Sequence, residues 1–165
     1  MVRNFKTEDS EILVEMFCRN LETFKDYISH GEIQMGLSSD GVNLSSDYKE
    51  KWRRYLSRHS EDPKSHIYVF ENENVIEGFI IFGIEDDYDK EYGVIYDILV
   101  SDSRKGTGIG NQLFEYAIDI YKSLNITDCY LESGINNHGA HTFFEKRGFK
   151  HISNIYRLNI KTENM

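Results

Sequence analysis

Two hydrophobic periods alternate along the chain, and the places where one gives way to the other lay out its elements. Residues 2–5 predict a short first strand. Thr7, Glu8 and Asp9 supply a helix cap with acidic residues in the first turn. Ile12, Leu13, Met16, Phe17 and Leu21 then recur at spacings of three and four. That helix is predicted to run to about residue 30. Residues 31–46, with Ser-Ser-Asp at 38–40 and again at 45–47, predict a flexible polar connection. The helical period returns over 48–59, with Trp52, Tyr55 and Leu56 on one face. Glu61, Asp62 and Pro63 end it.

The second half opens with period-two segments. Strands are predicted at 65–71 and 75–84 around an Asn72-Glu73-Asn74 turn, then an acidic connection at 85–91 and a strand at 93–100. Leu113, Phe114, Ala117, Ile118 and Tyr121 mark a helix over 109–123. A strand at 128–133, a short helix at 137–147 and a last strand or strand pair at 149–160 complete the chain. Helices early, a meander and then a βαβ-like unit predict an α/β (α+β) fold. Its central sheet is mixed and mostly antiparallel, flanked by helices.

Composition narrows the picture. The 165 residues are 39% hydrophobic and 13% aromatic, which predicts one globular domain over 1–165 with a substantial core. A formal net charge of -9 repels phosphate backbones, so nucleic acid is excluded as a partner, and cationic amines are favoured. No apolar run approaches membrane-spanning length and residues 1–6 lack a signal-peptide core, so the expectation is a cytoplasmic protein with no membrane partner. Two cysteines, Cys18 and Cys129, lie in apolar patterns and predict buried free thiols; no metal site is expected.

The chemistry concentrates where the apolar run Ile98, Leu99, Val100 meets Arg104, Lys105, Gly106, Thr107, Gly108, Ile109, Gly110 and Asn111. A strand, a tight glycine turn and a helix N-terminus in succession expose backbone N–H groups to an anion. Lys105 precedes the glycines, so this is no P-loop, and the third glycine comes one residue early for a dinucleotide fingerprint. A plain packing turn and an ATP-dependent transferase are the other readings of these glycines alone.

The segment resembles the acyl-CoA-binding motif of the GNAT superfamily of N-acetyltransferases, with Lys105 at its Arg/Gln position and Gly108 and Gly110 as the paired small residues. A second stretch resembles the family's other signature: Asn137, Ala140, Phe143, Glu145, Lys146, Gly148 and Phe149 fall in place without gaps, after a strand ending in Leu131-Glu132. Phe144 stands where the family usually carries tyrosine.

The resemblance implies acetyl-CoA in a cleft between the strands at 93–100 and 128–133, splayed apart by a bulge. Pantetheine would pair with Ile98, Leu99 and Val100, and the diphosphate would lie on residues 105–110. Arg104, Lys105, Lys146 and Arg147 are the cations available to the cofactor, and Asn137, Phe143 and Phe144 stand on its second wall. It further implies transfer of acetyl to a primary amine of a small molecule or peptide, and a homodimer, as relatives often form.

Asp97, the one carboxylate within 93–100, is the candidate base or amine anchor. Tyr96 is a candidate acid in place of the missing tyrosine, with Tyr130 and Tyr156 as substitutes, and Glu132 is a second carboxylate. Strict alternation would point Asp97 away from the face of Tyr96 unless a bulge intervenes. His138 and His141 are expected on a helix surface. With no tyrosine at 144 and no evident base, a non-catalytic acyl-CoA-binding or sensing domain is the alternative.

Overall fold

The computed structural model describes residues 1–162. Five strands form one sheet in sequence order: β1 (Val2–Asn4), β2 (Ser65–Asn72), β3 (Val75–Asp87), β4 (Lys90–Val100) and β5 (Cys129–Leu131). The first three pairings are antiparallel and β4 with β5 is parallel, so the sheet is mixed, as its element order predicts. Helices α1 (Ser10–Thr23) and α3 (Tyr48–Glu61) cover one face, and α4 (Ile109–Ser123) and α5 (His138–Glu145) the other.

Each face carries its own core. Leu13, Val14 and Phe17 of α1 pack with Trp52 and Leu56 of α3 onto Phe79 and Ile81, and Phe17 stacks on Trp52 with ring centroids 4.3 Å apart. Leu113, Phe114 and Ala117 of α4 pack onto Ile80, Phe82 and Ile95. The strict alternation of Phe79, Ile80, Ile81 and Phe82 thus serves both layers, and all four are fully buried. Cys18 is a buried free thiol, and Cys129 is free but only partly buried.

Four predicted segments are corrected. The first helix stops at Thr23, not near residue 30. Phe24 leaves helical geometry, and Ser29 with Glu32 forms a capping box that starts a separate helix, α2 (His30–Gln34). The rest of 31–46 is not a loose connection, because Leu37 and Ser38 are fully buried and Asp40 accepts from the N–H groups of Val42 and Asn43, both at 2.8 Å. The acidic stretch 85–91 is no loop either. It is the hairpin end of β3 and β4, turning at Tyr88 with φ 59°, its pairs running out to Asp87 opposite Lys90. Both faces meet solvent there, so no apolar alternation marks it. Residues 149–160 form no strand among the described residues; Phe149 packs against Phe114 and Phe144, and the residues after it are exposed.

Gly93 is fixed by packing. The Tyr121 hydroxyl donates towards the Gly83 and Val94 carbonyls, each at 2.9 Å, which pins its ring against β4. A Cβ at Gly93 would lie 2.6 Å from that ring. Gly93→Ala is therefore expected to destabilise the fold by about 1–3 kcal/mol in chemical denaturation; an unchanged midpoint would contradict this packing.

Candidate active site

The site begins with a register shift. Ile81 faces Asp97 across the sheet, but its neighbour Phe82 faces Ile95, so Tyr96 is an extra, unpaired residue in β4. Two consecutive side chains therefore address the same face: Tyr96 meets His59 of α3, with centroids 4.5 Å apart, and Asp97 meets Tyr55 of the same helix. The bulge does intervene. β5 pairs with β4 only at Gly93, Val94 and Ile95, and the pairing ends where the bulge begins. Ile98, Leu99 and Val100 are thereby left half-buried with no β5 partner. Beside them Leu99, Val100 and Ser101 line a groove of about 280 Å³ with Met16, Arg19 and Asn20 of α1.

The groove's lining runs on to Asp102 and Ser103, and the glycine turn follows them in the chain. Gly106 and Gly108 have φ of +78° and +89°, a region that side chains disfavour, and a Cβ on either would meet nothing within 4 Å. The space above them is open to a ligand. Gly108 caps α4, whose first N–H groups have no acceptor inside the helix; the Gln112 N–H reaches back to the Gly108 carbonyl at 3.1 Å. Thr107 folds inward, donating its hydroxyl to the Arg104 carbonyl at 2.5 Å. Gly110 allows close packing, since its Cβ would lie 3.3 Å from Phe143. Open glycines, unpartnered helix N–H groups and a free strand edge fit a donor that joins an amide-bearing arm to a diphosphate.

The flanking cations already have partners. Arg104 Nε lies 3.1 Å from Glu77, and Lys105 Nζ lies 2.8 Å from Asp102 and 4.9 Å from the centre of the Phe24 ring. Lys146 is exposed. Arg147 stacks 3.5 Å over Phe143 and donates from Nε to Asn111 at 3.0 Å, tying α5 to the first turn of α4. Asn137 caps α5, its side chain accepting from the Ala140 N–H at 3.3 Å. Phe144 is buried against Phe143 and Phe149, so aromatic packing occupies the place of the usual tyrosine. His141 points a ring nitrogen at the Gly134 carbonyl, 2.8 Å away, and is not a free surface side chain.

Asp97 and Tyr96 lie side by side on the backbone but have different partners. The Tyr96 hydroxyl donates to Glu85 at 2.8 Å, and burial with that hydrogen bond drives its pKa up. Asp97 accepts from the Tyr55 hydroxyl at 2.6 Å. Burial pushes the Asp97 carboxyl up to about 7, the Tyr55 hydrogen bond draws it down, and the charge of Glu32 raises it. Sequence reasoning missed Tyr55, which reads as one more residue of an apolar helix face.

It also missed what Glu132 holds. One oxygen accepts from the Gly31 N–H at 3.0 Å and the Ser29 hydroxyl at 3.2 Å, and the other pairs with His30. Asn136 donates to the Asp26 carbonyl at 3.3 Å. α2 and the turn before it are thus fastened to the end of β5, while Glu32 closes the capping box on Ser29 and its charge reaches Asp97 only at a distance.

Gly108→Glu places a carboxylate in the open cradle. Coenzyme A affinity in titration calorimetry is expected to fall by at least about 100-fold, while the positive φ costs about 1–2 kcal/mol of stability and the circular dichroism spectrum persists. Unchanged affinity in folded protein would contradict this placement of the diphosphate.

The comparisons with known proteins agree with this geometry. Three solved structures share the fold at low identity. A transcriptional regulator from Bacillus halodurans is 18% identical, with 97% of this chain and 99% of that one covered and a TM-score of 0.72. A predicted acetyltransferase from Clostridium acetobutylicum, solved with acetyl-CoA, is 17% identical with 98% and 97% covered and a TM-score of 0.73. An aminoglycoside antibiotic 6′-N-acetyltransferase from Acinetobacter haemolyticus is 11% identical with 96% and 97% covered and a TM-score of 0.72. No curated protein matches the sequence. The sequence model of the acetyltransferase (GNAT) family, whose acyl donor is acetyl-CoA, matches residues 34–149, and the chain belongs to that family.

Proposed function

We propose that this acetyltransferase acetylates a primary amine of a small cationic molecule or peptide, and that Asp97 takes the proton the ammonium must lose. Acetyl-CoA, when bound, supplies the thioester whose acetyl group is transferred. The observation that carries the reading is the enclosed Asp97 carboxylate, just past the bulge at which β4 stops pairing with β5, hydrogen-bonded to Tyr55.

A carboxyl that titrates near 7 is matched to deprotonating an amine at neutral pH, where an ordinary carboxylate is too weak a base. The charge of Glu32 adds to that of Asp97 and, with the chain's net charge of -9, suits a cationic acceptor. The β4 N–H groups beyond the bulge are the donors nearest a carbonyl oxygen held along that edge. Phe144 offers no proton to a departing thiol. Thiols titrate near about 8.5, so departure as thiolate followed by protonation from water is acceptable.

The 6′-N-acetyltransferase among the structural neighbours acts on an aminoglycoside, an amine of this class. A screen of polyamines, aminoglycosides and basic peptides with thiol-release detection tests the reading; acetylated product is expected. Coenzyme A binding without turnover on the whole panel would favour a sensing domain, the reading that Phe144 suggests.

The pH dependence is specific. Asp97 is protonated below about 7, so kcat/KM is expected to rise with pH through that value and level off above it. Asp97→Asn should remove this limb and lower kcat by about 100-fold or more. Tyr55→Phe removes the hydrogen bond that draws the Asp97 pKa down, so its limb should move to higher pH. A limb unmoved in both variants would assign the base elsewhere.

A further inference from the structure

Glu77 is a carboxylate outside both cores and outside the reaction. It stands on β3 with its side chain 13% exposed, and its Oε2 lies 3.1 Å from Arg104 Nε. Both atoms are closed to solvent, and neither has a hydrogen-bond partner elsewhere among the described residues. The Arg104 side chain as a whole is 41% exposed, so the guanidinium turns one edge into the protein and leaves the rest outside. Removing either member of such a pair leaves the other charge uncompensated and out of water.

Glu77 and its neighbour Gly78 seat both ends of the glycine turn. At the start, the Glu77 carbonyl accepts from the Ser101 N–H at 2.9 Å and its carboxylate holds the Arg104 side chain, while the Arg104 carbonyl accepts the Thr107 hydroxyl at 2.5 Å. At the end, Gly78 lets the first turn of α4 down onto the sheet. A Cβ there would lie 3.1 Å from Ile109 and 3.2 Å from Leu113, both buried. Residues 105–108 are therefore suspended between two anchors on adjacent residues of β3, and they include the open Gly106 and Gly108. A cradle of N–H groups binds an anion best when those groups are aimed before the anion arrives.

We propose that Glu77 is a positioning residue for the donor's diphosphate and acts through Arg104. Arg104 is then an anchor of the turn and not a ligand of the phosphate. The two roles have opposite signs. A guanidinium that gripped the phosphate would be held back by Glu77, and neutralising Glu77 would tighten binding; an anchor needs Glu77, and neutralising it weakens binding. The geometry favours the anchor, because the Arg104 atom that meets Glu77 is closed to solvent while Gly106 and Gly108 face open space. The proposal rests on the diphosphate lying over those glycines, which Gly108→Glu tests separately, and is independent of Asp97 and of the acceptor.

Coenzyme A is titrated calorimetrically into the native chain, Glu77→Gln, Arg104→Gln and the double variant. Each single variant is expected to bind about 10-fold more weakly, and the double variant no more weakly than either, because the two side chains act as one device. The double variant removes one charge of each sign, so its affinity should fall with salt as steeply as that of the native chain. In proton–nitrogen correlation spectra of the free variants, the amide signals of 105–110 should move while those of α1 and α3 stay in place. Binding by Glu77→Gln as tight as native or tighter would overturn the proposal, as would a double variant about 100-fold weaker, a shallower salt dependence in it, or signals displaced across the whole sheet. If Glu77→Gln does not fold, Arg104→Gln decides alone: unmoved 105–110 signals in the free variant would mean that Arg104 serves the phosphate and not the turn.

Discussion

Tyr96 has no partner across β3, and side chains along a strand alternate with period two, so this one residue resets everything after it. Before it, Ile95 joins the α4 layer. After it, Asp97 joins Tyr96 on the α3 side, and Ile98 and Val100 return to the α4 side. The added twist also ends the parallel pairing with β5 at Ile95. A free strand edge, a place for a carboxylate away from bulk water and an opening between two sheet walls all follow from that one insertion.

The electrostatics follow the same geometry. A carboxylate enclosed at this bulge is costly unless bonded, and Tyr55 supplies the bond without supplying charge. Burial therefore outweighs the hydrogen bond and leaves Asp97 poised near neutrality. Arg3 and Asp9 show the opposite case on the same sheet. There a guanidinium lies 2.8 Å from a buried carboxylate; burial raises the Asp9 pKa most, but the Arg3 hydrogen bond and the Lys6 N–H bond together, with the charges of Arg3 and Lys6, overcome it and the net shift is down. One carboxylate is kept charged for structure, the other is kept near its titration point.

What could be read from the sequence follows from which constraints leave a mark on residue type. Gly106 and Gly108 are legible because positive φ excludes most other residues, and they located the turn and the start of α4 at Ile109. The two core layers were legible because Leu113, Phe114 and Ala117, or Trp52 and Leu56, repeat at helical spacing. The bulge was expected from the family resemblance alone, because no residue type in Tyr96-Asp97 marks its position. Tyr55 and Asp97 lie 42 residues apart, and nothing local announces their bond. The acidic 85–91 hairpin end was hidden because its ladder is made by the backbone while both faces meet solvent. For 150–160 the period was readable, but a strand exists only where another lies beside it.

The structure of the chain bound to coenzyme A tests the central claim most directly. The account predicts the pantetheine arm hydrogen-bonded along Ile98, Leu99 and Val100 in the gap that opens at Tyr96, with the diphosphate over Gly106 and Gly108. A complex with the cofactor bound elsewhere, or with β5 still paired to β4 beyond Ile95, would contradict it.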